Sequence, residues 1–154
     1  MVRVGRVGLL KWLWHVFSPD LSFYCRQTEL GWPGVGNAIG LGRMPIKYGA
    51  CAAPVPGFEL AIADDDGHIL PHNTLGDMFL KLPLPPGTLT TLYNDDERFV
   101  ESYLRKMPGY YDTGDAVFID DDGYVHIMGR NDDVINTAVR LTDRMPLRNE
   151  VAVA

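Results

Sequence analysis

Short apolar runs separated by acidic residues and glycine mark the chain between residues 54 and 130. Runs at 57–63 and 76–82 predict strands, and the runs at 116–119 and 124–128 predict a hairpin. The residues between the last two runs are Asp120, Asp121, Asp122 and Gly123, and Asp-Gly supplies the positive φ angles that a tight turn requires. In the return strand, Val125 and Ile127 share one face. The pattern predicts antiparallel sheet.

Helical periodicity is confined to two places. Residues 94–106 carry one apolar stripe, made by Phe99, Val100, Tyr103 and Leu104, and Asn94 with Glu97 resembles a capping box. Residues 7–17 show a similar stripe, and a short strand is expected at 21–26. The Gly- and Pro-rich residues 31–53, including the Gly34–Gly40 run, are expected to be loop. The fold class predicted is therefore α+β, β-rich, with one or two helices.

Composition narrows the class of protein. A net charge of −6 over 154 residues argues against a nucleic-acid partner, which would call for a basic face. Two cysteines are too few for a disulfide framework and suit a reducing compartment, the cytoplasm or the mitochondrial matrix. Arg3, Arg6 and Lys11 leave an organelle-targeting segment open. No segment of the sequence is long and apolar enough to predict a membrane span.

The predicted hairpin places two charged residues at its open end. Asp115 precedes the outgoing strand and Arg130 follows the return strand, so the two side chains are expected to lie close together. A carboxylate can accept the two hydroxyl hydrogen bonds of a ribose diol, and an arginine fork binds phosphate or ribose oxygens. The alternative is an exposed ion pair at a hairpin mouth, which is common and contributes little.

A second group with potential chemistry is Gln27-Thr28-Glu29. A hydroxyl can bond a phosphate oxygen, and a carboxylate is a hard ligand for the Mg²⁺ that accompanies ATP. The alternative is a capping or surface feature. The Asp-rich turns at 64–67 and 120–123 lack the later Glu and the flanking helices of a calcium-binding EF-hand, so calcium is not expected there.

Several ordered motifs resemble those of the AMP-forming acyl-CoA synthetases of the adenylate-forming superfamily. They are the sequences at 110–115, 122–124 and 129–136, the stretch at 27–33, and runs at 54–58, 81–87 and 93–99 that look most like the short-chain acetate– and propionate–CoA ligases. The resemblance covers about residues 27–136. It implies the end of a large N-terminal domain, and a reaction in which ATP, Mg²⁺ and CoA convert a short carboxylic acid to acyl-CoA, AMP and pyrophosphate.

The resemblance also implies roles for individual residues. Asp115 and Arg130 correspond to ribose-contacting residues, and Gln27 and Thr28 to ATP-binding ones. Glu29 corresponds to the Mg²⁺ ligand. Asp132 corresponds to a hinge between domains, and Arg140 to a phosphate-contacting arginine whose spacing is shortened.

The sequence also departs from the family pattern. Cys25 and Arg26 stand where short-chain members usually carry two tryptophans, which leaves acyl-chain selectivity open. The phosphate loop and the C-terminal domain with its catalytic lysine are missing, so a fragment or misread gene model that is inactive alone is expected. The expected divisions are a divergent segment at 1–23, the ATP and Mg²⁺ motif with its connection at 24–53, a β-rich subdomain at 54–130, and a hinge with a divergent tail at 131–154.

Two alternative functions remain. The chain could belong to another adenylate-forming enzyme, such as a medium-chain ligase or an adenylation domain. It could also be a non-catalytic module that binds nucleotide or protein. Apolar faces that would normally pack on further chain make self-association possible.

Overall fold

The computed structural model describes residues 24–42 and 44–131, which form two antiparallel sheets and one α-helix. The smaller sheet has the order β1-β2-β3, and the larger has the order β4-β5-β6-β7. The strands are β1 (Cys25–Arg26), β2 (Pro33–Gly36), β3 (Ala53–Pro54), β4 (Leu60–Ala63), β5 (Gly76–Lys81), β6 (Tyr110–Ile119) and β7 (Val125–Arg130). Helix α1 (Asp96–Tyr103) connects β5 to β6, and a 3₁₀ turn lies at Ile39–Leu41. The predicted β-rich α+β class is confirmed.

The main core joins the two sheets. Its buried members come from strands of both sheets and from the segment before β3: Val35, Cys51, Ile62, Met78, Val117 and Val125. A pair of backbone hydrogen bonds between Cys51 and Val125, with N···O distances of 2.8 and 3.1 Å, ties the segment before β3 to the edge strand β7. The smaller sheet is thereby held against the hairpin formed by β6 and β7.

A second apolar cluster lies beneath the helix. Its buried members are Leu30, Val55, Phe58, Leu80 and Tyr111, with Tyr103 and Leu104 packed against them. The ring of Tyr103 stacks on that of Tyr111, with ring centroids 5.1 Å apart. The helix is therefore fixed on β6, beside the turn that follows β1.

The predicted helix is real but shorter, and its cap differs. Asp95 is the capping residue, because its carboxylate accepts a hydrogen bond from the backbone N–H of Arg98. Asn94 has a φ of 54° and lies outside the helix, so the proposed capping box of Asn94 and Glu97 is wrong by one residue. Of the predicted stripe, Phe99 is buried, whereas Val100 is about half exposed.

Some predicted boundaries are also corrected. Residues 33–36 were expected to be loop but form β2, because they pair with β1 on one side and β3 on the other. The strand predicted at 57–63 begins only at Leu60. The outgoing strand of the hairpin begins at Tyr110 rather than 116, so Asp115 lies inside a strand. In the part of the chain that the structure describes, no helix could span a membrane.

Candidate functional site

Asp115 and Arg130 face each other across the β6–β7 ladder. They are directly paired residues, and Nη1 of Arg130 lies 3.9 Å from Oδ1 of Asp115. The predicted proximity is confirmed, although both residues lie within strands rather than beyond their ends. Asp115 is only 4% exposed. A buried carboxylate is costly to maintain without partners, so the exposed ion pair considered from the sequence does not describe this arrangement.

Gln27 makes a short hydrogen bond to the Asp115 carboxylate. Its amide Nε2 donates to Oδ2 of Asp115 at 2.7 Å and to the backbone carbonyl of Thr113 at 2.6 Å. Nη1 of Arg130 donates to the same carbonyl at 3.0 Å. The Thr113 carbonyl therefore anchors both neighbours of Asp115. The family resemblance predicted Gln27 as a site residue. Its contact with Asp115 was not predicted, because the two residues are 88 positions apart and no local sequence pattern indicates that they meet.

The backbone at residues 112–115 is shaped for this contact. Gly114 has a φ of 66°, and a Cβ placed there would lie 2.9 Å from Nη2 of Arg130. The hydroxyl of Thr113 donates to the Met78 carbonyl at 2.8 Å, which holds the turn on β5. Asp112 accepts a hydrogen bond from the Gly114 N–H, while burial raises the pKa of the Asp112 carboxyl. Glycine therefore suits this position, because the backbone is left-handed there and an added Cβ would displace the guanidinium.

Glu29 and Thr28 lie in the turn that follows β1. Thr28 is exposed and Glu29 is half-buried. The Tyr103 hydroxyl lies 3.5 Å from Oε1 of Glu29, the outer limit of a hydrogen bond. Burial, followed by the negative charge of Glu29, raises the pKa of Tyr103. The backbone of this turn is held by hydrogen bonds from Gly31 N–H to the Thr28 carbonyl at 3.1 Å and from Leu89 N–H to the Glu29 carbonyl at 2.6 Å.

Glu29 is compatible with Mg²⁺ as a single protein ligand. Mg²⁺ is commonly held by one or two carboxylates together with substrate phosphates and water. Within residues 24–42 and 44–131, the one group of three side chains whose ligand atoms converge is Asp64, Asp66 and His68, and it does not include Glu29.

The Tyr111 hydroxyl is buried, with no hydrogen-bond partner among the described residues. Burial, the neighbouring Tyr103 and the charge of Glu29 raise its pKa.

The remaining predicted site residues divide into two sets. Cys25 is half-buried, and burial, followed by the charge of Asp115, raises the pKa of its thiol to about 12. Arg26 is exposed on the short strand β1. Asp132 and Arg140 lie outside the described residues, so their predicted roles at a hinge and at a phosphate stay predictions.

Sequence comparisons with known proteins agree with the family resemblance of this segment. An uncharacterized protein of Pseudomonas aeruginosa is 45% identical over 112 residues, which is 73% of this chain and 18% of that protein. The mitochondrial acyl-CoA synthetase short-chain family member 3 of Mus musculus is 42% identical over 136 residues, covering 86% of this chain and 20% of that protein. This chain is related to the short-chain acyl-CoA synthetases.

The relationship extends to acetyl-CoA synthetases but covers only a part of each relative. The acetyl-coenzyme A synthetase of Pyrobaculum arsenaticum is 38% identical over 112 residues, or 73% of this chain and 17% of that enzyme. No protein-family model matches the chain. The chain spans about a fifth of the length of the curated relatives it matches, and it corresponds to one segment of such a ligase.

Proposed function

We propose that this segment forms the ribose-binding part of the ATP site in an AMP-forming short-chain acyl-CoA synthetase. The observation that carries the proposal is the buried Asp115 carboxylate, which is held by Gln27 and faced by Arg130. A carboxylate can accept hydrogen bonds from both hydroxyls of a ribose diol. The guanidinium adds positive charge beside the nucleotide, which carries negative charge on its phosphates.

The turn after β1 would serve the phosphate end of the same nucleotide. Thr28 is exposed and can donate its hydroxyl to a phosphate oxygen, and Glu29 can ligate Mg²⁺. When bound, the metal would neutralise charge on the phosphates during adenylation. No described residue bears on how CoA would bind, and Cys25 and Arg26, in place of the two tryptophans, leave the acyl-chain selectivity open. Acetate and propionate are proposed as substrates because the relatives include short-chain and acetyl-CoA synthetases.

Two further properties are proposed for the protein that contains this segment. The mouse relative is named as mitochondrial, which favours the mitochondrial matrix over the cytoplasm. Self-association of the segment alone is supported by exposed aromatic and aliphatic side chains, with Trp32 at 67%, Leu41 at 76% and Tyr93 at 94% exposure.

Carboxylate-dependent exchange between ATP and pyrophosphate tests the proposed function in a protein of family length that includes this segment. Exchange should require acetate or propionate, and Asp115→Asn should raise the KM for ATP about tenfold or more, because a hydrogen bond to a charged group contributes about 1.5–3 kcal/mol. Asp122→Asn, at the exposed turn of the same hairpin, should leave the KM unchanged. Exchange without a carboxylate, or an unchanged KM in Asp115→Asn, would refute the proposal.

The same assay applied to the 154 residues alone should show no carboxylate-dependent pyrophosphate release. Removal of a single donor to a transition state typically costs about a hundred- to a thousandfold in rate, and the segment lacks the family's phosphate loop and lysine. Nucleotide affinity of the segment is expected to be no better than about 1 mM, which corresponds to about 4 kcal/mol.

A further inference from the structure

The side chain of Gln27 points toward protein groups, although the resemblance assigns it to ATP. Its amide carries two N–H donors on one nitrogen. That nitrogen contacts Oδ2 of Asp115 at 2.7 Å and the carbonyl of Thr113 at 2.6 Å. Both distances are those of short, well-formed hydrogen bonds, so the two donors are engaged by the protein itself.

The geometry assigns Gln27 as a positioning residue that fixes the Asp115 carboxylate for a ribose diol, rather than as a direct contact to nucleotide phosphate. This inference rests on the proposed function, because it presupposes that Asp115 receives the diol. It extends that function by naming the group that selects a ribonucleotide over a nucleotide without ribose hydroxyls.

The two Asp115 oxygens have different surroundings. Oδ2 accepts from Gln27, whereas Oδ1 is the oxygen nearest Arg130, at 3.9 Å. That separation exceeds hydrogen-bond distance, and Nη1 of Arg130 donates instead to the Thr113 carbonyl at 3.0 Å. One carbonyl thus orients Gln27 and Arg130 on either side of the carboxylate. The rotation of the Asp115 side chain is thereby set before a ligand arrives.

A glutamine is suited to this position for a chemical reason. Glutamate would place a second carboxylate within contact distance of Asp115 and a backbone carbonyl, with no proton to share when ionised. Methionine has a similar length but offers neither donor. Gln27→Met therefore removes both hydrogen bonds, and Gln27→Glu replaces attraction by repulsion.

Discrimination between AMP and 2′,3′-dideoxy-AMP tests the inference on the whole 154-residue chain. Protein-observed NMR titration up to tens of millimolar ligand gives both dissociation constants. The wild-type chain should prefer AMP by about tenfold, as expected for hydrogen bonds to a charged group. Gln27→Met and Gln27→Glu should both reduce this preference to near unity, as should Asp115→Asn. Thr28→Ala, beside Gln27, should weaken both ligands alike and keep the preference.

The outcomes separate the inference from the proposed function. If Gln27→Met weakens both ligands equally while Asp115→Asn still removes the preference, Gln27 contacts nucleotide directly and the inference is wrong, but the ribose site stands. If the wild-type chain shows no preference, the proposed function fails. A ligand-free readout guards against misfolded variants: the Gln27 side-chain amide protons should exchange slowly with solvent, and Asp115→Ala should accelerate that exchange. Unchanged exchange would contradict the inference.

Discussion

The hairpin of β6 and β7 carries a mostly buried aspartate at each end, and the two are held in different ways. At the turn, Asp120 Oδ2 lies 2.6 Å from Nζ of Lys47 and 2.8 Å from Nε2 of His126. Its other oxygen accepts from the backbone N–H groups of Tyr124 and Asp122, at 2.9 and 3.1 Å. Burial would raise the pKa of Asp120, but the hydrogen bonds from Lys47 and His126 hold it well below its usual range.

At the open end, the ion pair between Asp115 and Arg130 is longer than those of Asp120. Nη1 of Arg130 stays 3.9 Å from Asp115 and donates to a backbone carbonyl, and Gln27, which is neutral, holds the acid. A closed ion pair contributes stability to the fold, whereas a carboxylate held by a neutral amide with an arginine nearby can still receive a ligand. The comparison sets an acid held by close ion pairs beside an acid for which we propose ligand binding, within one hairpin.

Removal of the Asp120 carboxylate should have the largest effect on stability. Asp120→Ala would leave four donors without their acceptor and weaken the contact between the hairpin and Lys47. We expect a loss of about 1–3 kcal/mol in the free energy of unfolding, measured by urea denaturation. Asp122→Ala is the control, because its carboxylate is mostly exposed and, among the described residues, contacts only Lys47. Equal losses in the two variants would contradict a special role for Asp120.

Local sequence was sufficient to predict the hairpin but not the smaller sheet. The hairpin follows from an Asp-Gly turn between two apolar runs, a signal contained within a few residues. Strand β2 is the sequence Pro33-Gly34-Val35-Gly36, which has no alternation, and its strand geometry comes from pairing with Cys25 and Pro54. Pairing over such distances overrides local propensity, and a single sequence does not display it.

The candidate site was also predictable only in part: its local pair was predicted, and its contacts between distant segments were not. Hairpin geometry alone brought Asp115 and Arg130 together, because paired strands place their ends side by side. The bridging role of Gln27 and the packing of Arg130 over Gly114 depend on contacts between distant segments. Sequence could identify which residues carry chemistry, but not which of them holds another in place.

Two glycines allow the backbone at the open end of the hairpin to be compared with the backbone at its turn. Gly114 and Gly123 lie at opposite ends of the hairpin with φ of 66° and 83°, so alanine at either position should cost about 1 kcal/mol from backbone strain. A Cβ at Gly123 meets nothing within 4 Å, whereas at Gly114 it meets the guanidinium of Arg130. Because that guanidinium is the end of a flexible side chain, it can move aside at little cost in stability.

Gly114→Ala and Gly123→Ala should therefore lose similar stability in urea denaturation but differ in binding. Only Gly114→Ala should weaken AMP binding, by about threefold to tenfold, since it displaces a charged partner of the site. NMR titration with AMP gives the measurement. If both variants bind AMP equally, the position of Arg130 does not matter to the ligand.

The smallest expected effect concerns the two thiols, Cys25 and Cys51. Burial, then the charge of Asp115, raises the pKa of Cys25 to about 12, while burial alone raises the pKa of Cys51 to about 11. Cys51 pairs with Val125 on the strand that leaves the turn, and Asp120 is not among the groups that shift its pKa. Asp115→Asn should therefore lower the pKa of Cys25 and leave that of Cys51 unchanged.

Because the thiolate is the reactive form, iodoacetamide at mildly alkaline pH should alkylate Cys25 about two- to fivefold faster in Asp115→Asn than in the wild-type chain. Mass spectrometry can follow both cysteines in one reaction, so Cys51 is an internal reference for general loosening of the fold. Asp120→Asn is the matched variant at the turn, where the acid is already paired with Lys47, and it should not change the ratio of the two rates. A parallel rise at both thiols in Asp115→Asn would mean that the substitution opens the core. A selective rise at Cys25 would show that the negative charge of Asp115 itself raises the pKa of the Cys25 thiol.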